Sequence, residues 1–554
     1  MQSRADDEVP QRLDGPAMET DSDRVRYYEN LVRSRRRGAP SLLVPADHRV
    51  DWNDAPSKFN ICVDAARVPL SAGLNSKHLR LGESPTLSTN YGRAFVSMEE
   101  LSDFLLLSVG ILRRKLAVNW NLDGRASAKH RNTTYSRGTA SGGGLYPVVT
   151  YLLLRDRLGS PPGVYQYDDA HHTLTRVRLG SFESYIARAI NLQDSDSSDL
   201  LVILTVRFWK SLFKYHNFSY QVATQDIGAC IGSMEQVAYA LGWSATTIYW
   251  FRDRLIGSLL GLDDNREAPL AILAVGKRNS INTRRVSPIA SLEDVSSEDL
   301  PSIRHEMYER SRSTFIPEML ASVHKATLLE DVKRPVLPLS LWPLNIASSS
   351  HKIIICDFSS LLAHRQTNWG MFCREPALEA DILKGILEFV AYGVQYKSDL
   401  YARRVALPSL RIAVIAQHVA NLQQGVYDYS FEDSRLSRRN NWASRSSMQS
   451  TYSLLNQNVD QVSAVLVMVG RLDAVLSTLG GRGIRVMNAE AGMAAQRAYL
   501  ATAALALGCG AALGFDAHRI SEILDLDNKA EIPLLLIFIG HRRNEVFAYD
   551  FALS

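Results

Sequence analysis

The 554-residue chain repeats itself, and the repeat limits the architectures open to it. Thr89-Asn90-Tyr91-Gly92 is echoed by Thr367-Asn368-Trp369-Gly370, and Gly163-Val164-Tyr165-Gln166-Tyr167 by Gly425-Val426-Tyr427-Asp428-Tyr429. Asp226-Ile227-Gly228 returns as Glu490-Ala491-Gly492. Spacing agrees as well as motif: 41 residues separate Asp226 from Glu267, and 41 separate Glu490 from Glu531. Each of those glutamates stands ahead of an apolar run that ends at a glycine, Gly276 or Gly540. Chance does not preserve both motif and spacing. The chain divides into two similar halves, 75–277 and 350–554. An irregular lead-in over 1–74 comes first, where Pro40, Pro45, Pro56 and Pro69 break any long element. A proline-bearing connection over 278–349 has the composition of a segment that wraps rather than packs.

Within the first half, Ser97-Met98-Glu99-Glu100 is a capping box that opens a helix, and Leu101, Phe104, Leu105, Val109 and Leu112 recur at helical spacing behind it. Residues 200–206 and 269–275 read as buried strands with a largely apolar helix over 225–241 between them. Helix, strands, helix, strand is the order of an α+β layer. Ahead of the strand at 148–154 stands Arg137-Gly-Thr-Ala-Ser141-Gly142-Gly143-Gly144-Leu145-Tyr146-Pro147. Three consecutive glycines are costly inside a helix or strand and useful where backbone must approach something closely, so they open a loop at a sheet edge.

A net charge of +4 is nearly balanced for this length and implies neither a nucleic acid nor an anionic membrane as partner. Cys62, Cys230, Cys356, Cys373 and Cys509 have no C-x-x-C spacing, which argues against structural zinc and a disulfide framework; no metal is expected, and a reducing cytoplasm fits. The N-terminus lacks the apolar core of a signal peptide. Residues 498–515 are almost free of polar side chains but rich in alanine and glycine, which suits a buried helix end better than a membrane span. Gly508-x-Gly510-x-x-x-Gly514 follows a helix rather than a strand, so a dinucleotide-binding reading is rejected. There is no Ser/His/Asp order, His-Glu-x-x-His or phosphate loop.

The glycine loop, the Leu-Tyr-Pro after it and the Gly163–Tyr167 hairpin together resemble the SagB/ThcOx-type dehydrogenases, FMN enzymes of the nitroreductase fold that oxidise thiazolines and oxazolines in peptide natural products. Ala140 stands where that family often has proline. Since such proteins are dimers with FMN in the subunit interface, the resemblance implies two tandem nitroreductase-like α+β domains that form the dimer within one chain. It implies that Arg137, Ser141, Gly142 and Gly143 lie against the flavin, and that Arg365, Thr367, Gly508 and Gly510 serve its phosphate. Trp369 replaces the family's second arginine. At matching positions the first half has Leu87 and Gly242-Trp243-Ser244, and the second half has Leu407-Pro408-Ser409-Leu410 for the glycine turn. The division implies one working FMN site and one degenerate site.

The resemblance also implies a catalytic Lys-Tyr pair, matched by Lys214-Tyr215, with the lysine as base because partial desolvation disfavours its ammonium form. The offset copy, Thr478-Leu479, lacks both groups, and His216 is a second candidate base. Family arginines that follow the pair are missing: Asn217, Ser219 and Gln221 occupy the segment. The implied activity is FMN-dependent oxidation of azoline rings to azoles. The substrate would arrive on a peptide or carrier protein, with a cyclodehydratase or peptide synthetase as partner; further association of chains is open. The same fold admits NAD(P)H-driven reduction of nitro or quinone compounds, and the missing arginines admit a non-catalytic scaffold.

Overall fold

The computed structural model describes residues 20–36, 41–76, 79–81, 95–116, 133–156, 160–190, 198–277, 300–303, 305–331, 333, 335, 356–393, 396–401, 407–440, 448–527, 530–543 and 549–552. The repeat unit at 89–92 and Leu87 lie outside them. The lead-in holds α1 (Asp21–Arg33) and β1 (Arg67–Pro69). The first half opens with α2 (Met98–Val109), β2 (Ile111–Leu116), β3 (Thr133–Arg137), β4 (Val148–Leu154), β5 (Gly163–Asp168) and β6 (Thr173–Leu179). It continues through α3 (Glu183–Ala189), β7 (Leu200–Arg207), α4 (Phe208–Tyr215), α5 (Ser219–Ala240), β8 (Trp243–Ile248), α6 (Asp253–Leu260) and β9 (Glu267–Lys277). The connection carries α7 (Glu318–Lys325).

The second half opens with α8 (Phe358–His364), β10 (Phe372–Cys373), β11 (Leu378–Glu379), α9 (Ala380–Tyr392), β12 (Leu410–Ala416), β13 (Val419–Ala420), β14 (Gly425–Tyr429) and β15 (Leu436–Asn440). Then come β16 (Ala464–Gly470), α10 (Leu472–Leu479), α11 (Gly483–Ala504), β17 (Gly508–Ala512), α12 (Ala517–Leu524), β18 (Ile532–Arg542) and β19 (Tyr549–Ala552). The first sheet has the order β6-β5-β4-β7-β9-β8, extended at its β6 edge by β1. The second has β15-β14-β12-β16-β18, with β17 and β10 both on the outer edge of β18. Strand for strand the two orders are the same. Both are antiparallel sheets, yet the first seven residues of β7, all of β16 and the first nine residues of β18 are buried at every position. Helices and the other half cover both faces, which is why these strands read as continuous apolar runs rather than alternations.

The halves meet along α5 and α11, each 22 residues long and buried almost throughout. Their crossing is set by two glycines. A Cβ on Gly228 would collide with the Ala489 carbonyl, and one on Gly492 with the Gln225 carbonyl. Gly228 and Gly492 are partners in the repeat, and so are Gln225 and Ala489, so the contact has the symmetry of a two-fold dimer inside a single chain. A third sheet also joins the halves, because β19 pairs with β2, the next strand of which is β3.

Three local expectations change. The lead-in is not irregular throughout: Thr20 and Asp23 form a capping box, and α1 buries Val25, Tyr28 and Val32 on one face, with the Tyr28 hydroxyl donating to the Asn217 carbonyl at 3.0 Å. The connection packs as well as wraps, since α7 buries Leu320 and Val323, and Thr327 beyond it accepts from Arg485 at 2.8 Å. Finally, α5 begins at Ser219, six residues ahead of the apolar stretch that announced it. The alanine-rich stretch is the end of α11 followed by β17, and no described helix is long and apolar enough to cross a membrane.

Candidate active site

The glycine loop leaves β3 and turns back into β4 through two left-handed glycines, Gly143 (φ +65°) and Gly144 (φ +66°), a conformation that residues with a Cβ rarely adopt. One carboxyl group shapes the turn. Asp226, on α5, accepts from the Ser141 hydroxyl at 2.6 Å and from the Gly142 amide at 2.7 Å, while Ser141 Oγ accepts from the Tyr146 amide at 2.8 Å. Burial pushes the Asp226 carboxyl up to about 7 against the pull of those two hydrogen bonds.

The second half holds the same loop from the other side. Gln496, on α11, accepts from the Ala140 amide at 2.9 Å and donates to the Gly138 carbonyl at 2.8 Å. Arg365 donates through Nε to the Gly138 carbonyl at 3.2 Å and through Nη2 to the Thr139 and Arg137 carbonyls at 3.1 and 3.3 Å. Its guanidinium also lies 5.1 Å from the centre of the Tyr499 ring. The Tyr499 hydroxyl in turn meets Thr367 Oγ1 at 2.9 Å and accepts from the Ala511 amide at 2.9 Å. A continuous line of groups therefore runs from the glycine loop of one half to β17 of the other.

Lys214 and Tyr215 close over the loop. A Cβ on Gly143 would stand 2.7 Å from Lys214 Nζ and would collide with the Tyr215 hydroxyl, so only glycine lets the two side chains reach the turn. Both come from the last turn of α4, and His216 after them takes a positive φ of 48° that ends the helix. Trp52 of the lead-in packs edge-on against Phe213 at 5.2 Å, with Lys214 Nζ 5.8 Å from the Trp52 ring centre and 5.0 Å from that of Tyr215. Burial lowers the Lys214 ammonium from its ordinary value and raises the Tyr215 phenol well above its own. A lysine more readily neutral sits beside a tyrosine that stays protonated. His216 turns away from the pair, against His48 and Phe315.

Several expected roles change with the geometry. Arg137 is buried and committed through Nε and Nη2 to Asp169, with its guanidinium 3.9 Å from the Tyr146 ring centre, so it supports the loop from beneath. Arg365 is a clamp on backbone carbonyls, a use its planar fork suits. Gly508 and Gly510 lie in β17, where the Cys509 carbonyl and Ala511 amide point outward to the Asn368 amide and the Tyr499 hydroxyl. Alternation in an antiparallel ladder then turns the amides of Gly508 and Gly510 toward β18, so they do not form an anion cradle. What the glycines supply is room. A Cβ on Gly508 would stand 2.8 Å from Asn368 Nδ2, and one on Gly510 3.1 Å from Gln457 Nε2. Both amide nitrogens are buried and meet no acceptor among the described residues. Asn368 was visible in the repeated Thr-Asn-aromatic-Gly unit; Gln457, Gln496 and Trp52 had no sequence signal. Beneath the loop lies a cavity of about 30 Å³, room for a water.

The second junction repeats the clamp and fills the space. The Ser409 amide donates to Glu490 at 2.8 Å, as Gly142 and Ser141 do to Asp226, but Thr478 and Leu479 stand where Lys214 and Tyr215 would be. The Tyr396 and Tyr401 hydroxyls reach Glu490 at 3.3 Å each. Residues 396–401 bind along β8, the Thr247 amide donating to the Lys397 carbonyl at 3.0 Å and the Asp399 carboxylate accepting from the Tyr249 and Trp250 amides at 3.0 Å. At the first junction the positions matching Tyr249 and Trp250 are Leu513 and Gly514.

Buried carboxyls make the fold sensitive to alkali. Burial raises Asp226 and Glu490 to about 7 and Glu235 and Glu29 to about 8. A raised folded-state value means the folded chain holds these protons more tightly than the unfolded chain, so the stabilisation is complete below the ordinary carboxyl range and is lost as pH rises through 7 to 8. Urea denaturation should show stability falling from about pH 6 to about pH 8, on the order of 1 kcal/mol per pH unit for each group still titrating. Asn in place of Asp226 should flatten the slope. A stability that climbs over that interval would contradict the assignment.

Comparison with known proteins agrees with the duplicated fold. The nitroreductase family profile matches the chain twice, over 96–277 and 372–541. A presumed nitroreductase of Methanocaldococcus jannaschii is 29% identical over 139 residues, which is 25% of this chain and 69% of that protein. The crystal structure of a presumed nitroreductase from Anabaena variabilis superposes with a TM-score of 0.70 at 20% identity, over 94% of this chain and 99% of that one. A chain of the E. coli microcin synthetase McbBCD complex with truncated pro-MccB17 bound aligns with 38% of this chain and 77% of its own, at 20% identity and a TM-score of 0.26.

Proposed function

Because the chain belongs to the nitroreductase family, whose members are generally flavin-binding oxidoreductases, we propose that it is an FMN-dependent dehydrogenase of azoline rings with one working site, at the junction of the glycine loop. The observation that carries this reading is the placement of Lys214 and Tyr215 over Gly143, on a loop held by Asp226 from one half and by Gln496 and Arg365 from the other. The residues fit a flavin: the turn carries no side chain of its own at Gly142, Gly143 and Gly144, the last of which has open space around it, and Asn368 and Gln457 hold out amide donors that need an acceptor. FMN, when bound, supplies the two-electron acceptance that ring oxidation requires. Gly142 and Gly143 would face the ring, Asn368 and Gln457 would donate to the cofactor's oxygens, and Thr367 and Arg365 would fix the wall behind them.

Turning a thiazoline or oxazoline into an azole removes a proton and a hydride from neighbouring ring atoms. Lys214, made easier to deprotonate by burial, takes the proton at Nζ. Tyr215 stays protonated and orients the ring by donating a hydrogen bond. Trp52 packs on Phe213 and borders the lysine. A peptide or carrier protein would present the azoline, after a cyclodehydratase or peptide synthetase has formed it.

The test is the visible spectrum of the purified chain and a count of the flavin that denaturation releases. About one FMN per chain is expected, because Tyr396 and Tyr401 fill the second junction. Two per chain would refute the plug, and none after FMN is added would refute the cofactor. An azoline-bearing peptide should then bleach the bound flavin in the absence of oxygen, whereas bleaching by NAD(P)H without peptide would favour nitro or quinone reduction.

A further inference from the structure

Three groups with metal-binding chemistry meet where the lead-in crosses the connection. The two strips run antiparallel there: the Val63 amide donates to the Glu306 carbonyl at 2.9 Å, the Tyr308 amide to the Ile61 carbonyl at 2.8 Å, and the Ser57 amide to Glu309 Oε1 at 3.0 Å. Cys62 and Met307 face each other across this pairing. Cys62 Sγ lies 3.2 Å from Asp64 Oδ1, and His305 Nδ1 lies 3.7 Å from the same oxygen, with all three ligand atoms within 4.8 Å of one another.

The two separations from the Asp64 oxygen bracket the ones a metal imposes. With metal–sulfur bonds of about 2.3 Å and metal–nitrogen or metal–oxygen bonds of about 2.0–2.2 Å, tetrahedral ligand atoms stand roughly 3.3–3.6 Å apart. The outer contacts also fix the ligands. His305 Nε2 meets the Val177 carbonyl at 2.9 Å and must carry a proton there, which leaves Nδ1 as the nitrogen turned toward Asp64. The Glu306 amide donates to Asp64 Oδ1 at 3.2 Å and holds the carboxylate in place. A bare ring nitrogen facing a carboxylate oxygen is repulsive unless a cation lies between them or the ring takes a second proton.

We infer that Cys62, Asp64 and His305 form a three-ligand site for a divalent metal of the zinc type, with the fourth position open to water. One thiolate, one imidazole and one carboxylate is a donor set for zinc and not for magnesium or calcium. Cys62 is buried and Asp64 is 48% exposed, so the site is closed at the sulfur and open for entry at the carboxylate. The lack of C-x-x-C spacing, which argued against zinc, carries no weight where His305 reaches the other two only through the fold. The metal would fasten the lead-in strip that also carries Trp52 onto α4, so it would act on the surroundings of Lys214 from a distance.

Cobalt titration of chelator-treated protein tests this without reference to flavin or turnover. The wild type should bind one Co2+ per chain, with visible bands beyond the flavin absorption and a thiolate-to-cobalt charge-transfer band in the near ultraviolet. Cys62→Ser should lose the charge-transfer band. Asp64→Asn, at a half-exposed position that folding tolerates, should bind at least about tenfold more weakly, since losing even an outer hydrogen-bond partner costs that much. No uptake by the wild type, or a spectrum unchanged in Cys62→Ser, would overturn the site and leave a thiol–carboxylate hydrogen bond beside a His–Asp pair.

Discussion

Methionine in place of Lys214 should lower turnover by roughly two to three orders of magnitude, the range lost with a positioned proton acceptor, while the chain still holds FMN. Methionine keeps an unbranched stem beside Trp52 and Tyr215, so the change removes the amine that lies 5.8 and 5.0 Å from their ring centres and little else. The pH profile separates a base from a packing residue. Lys214 must be neutral to accept a proton, so the wild-type rate rises with pH through the lysine's lowered value, and in Lys214→Met that rise should disappear. A variant with bound flavin, an unchanged rate and the same profile would remove the lysine from the chemistry.

Leucine at Gly228 should separate the two halves. A Cβ there would stand 2.7 Å from the Ala489 Cα as well as striking its carbonyl, and a Cβ on Gly492 would stand 2.7 Å from the Gln225 carbonyl carbon. These obstacles are backbone in the middle of two buried helices and cannot swing aside. Even alanine should cost about 1–3 kcal/mol or more at each position, which outweighs the roughly 1 kcal/mol of helix propensity that it gains over glycine. Because the glycine loop is held by Gln496 and Arg365 of the other half, Gly228→Leu should lose the proposed flavin along with stability. An unchanged urea midpoint and unchanged flavin content would show that the helices do not cross as described.

The duplication, the layer order and the strands were legible because each leaves a signal within a short window: paired motifs at equal spacing, a capping box at Ser97, unbroken apolar runs at β7 and β18. The Lys214–Tyr215 pair came from the family resemblance, supported by its place in the repeat, and the structure brings both side chains to the glycine loop. Groups that act across the chain were not legible. Gln496 lies on an apolar helix and its partners, Gly138 and Ala140, are backbone atoms of the other half, which no side-chain pattern announces. Gly508 and Gly510 misled for a related reason, since glycine that admits a neighbouring side chain looks the same in sequence as glycine that presents an amide. The helix α1 was obscured by the prolines after it, although Thr20 and Asp23 already carried its capping box.

The pairing of β19 with β2 has a consequence for biogenesis. Tyr549 lies opposite Leu116, so the outer edge of β2 is completed by a segment that leaves the ribosome long after the first half has been synthesised. Until then the first half presents an unpaired strand edge, the kind of surface that recruits other chains into aggregates. That edge must stay protected through elongation, and closing it depends on a contact between strands far apart along the chain, a pairing whose loop-closure cost is high.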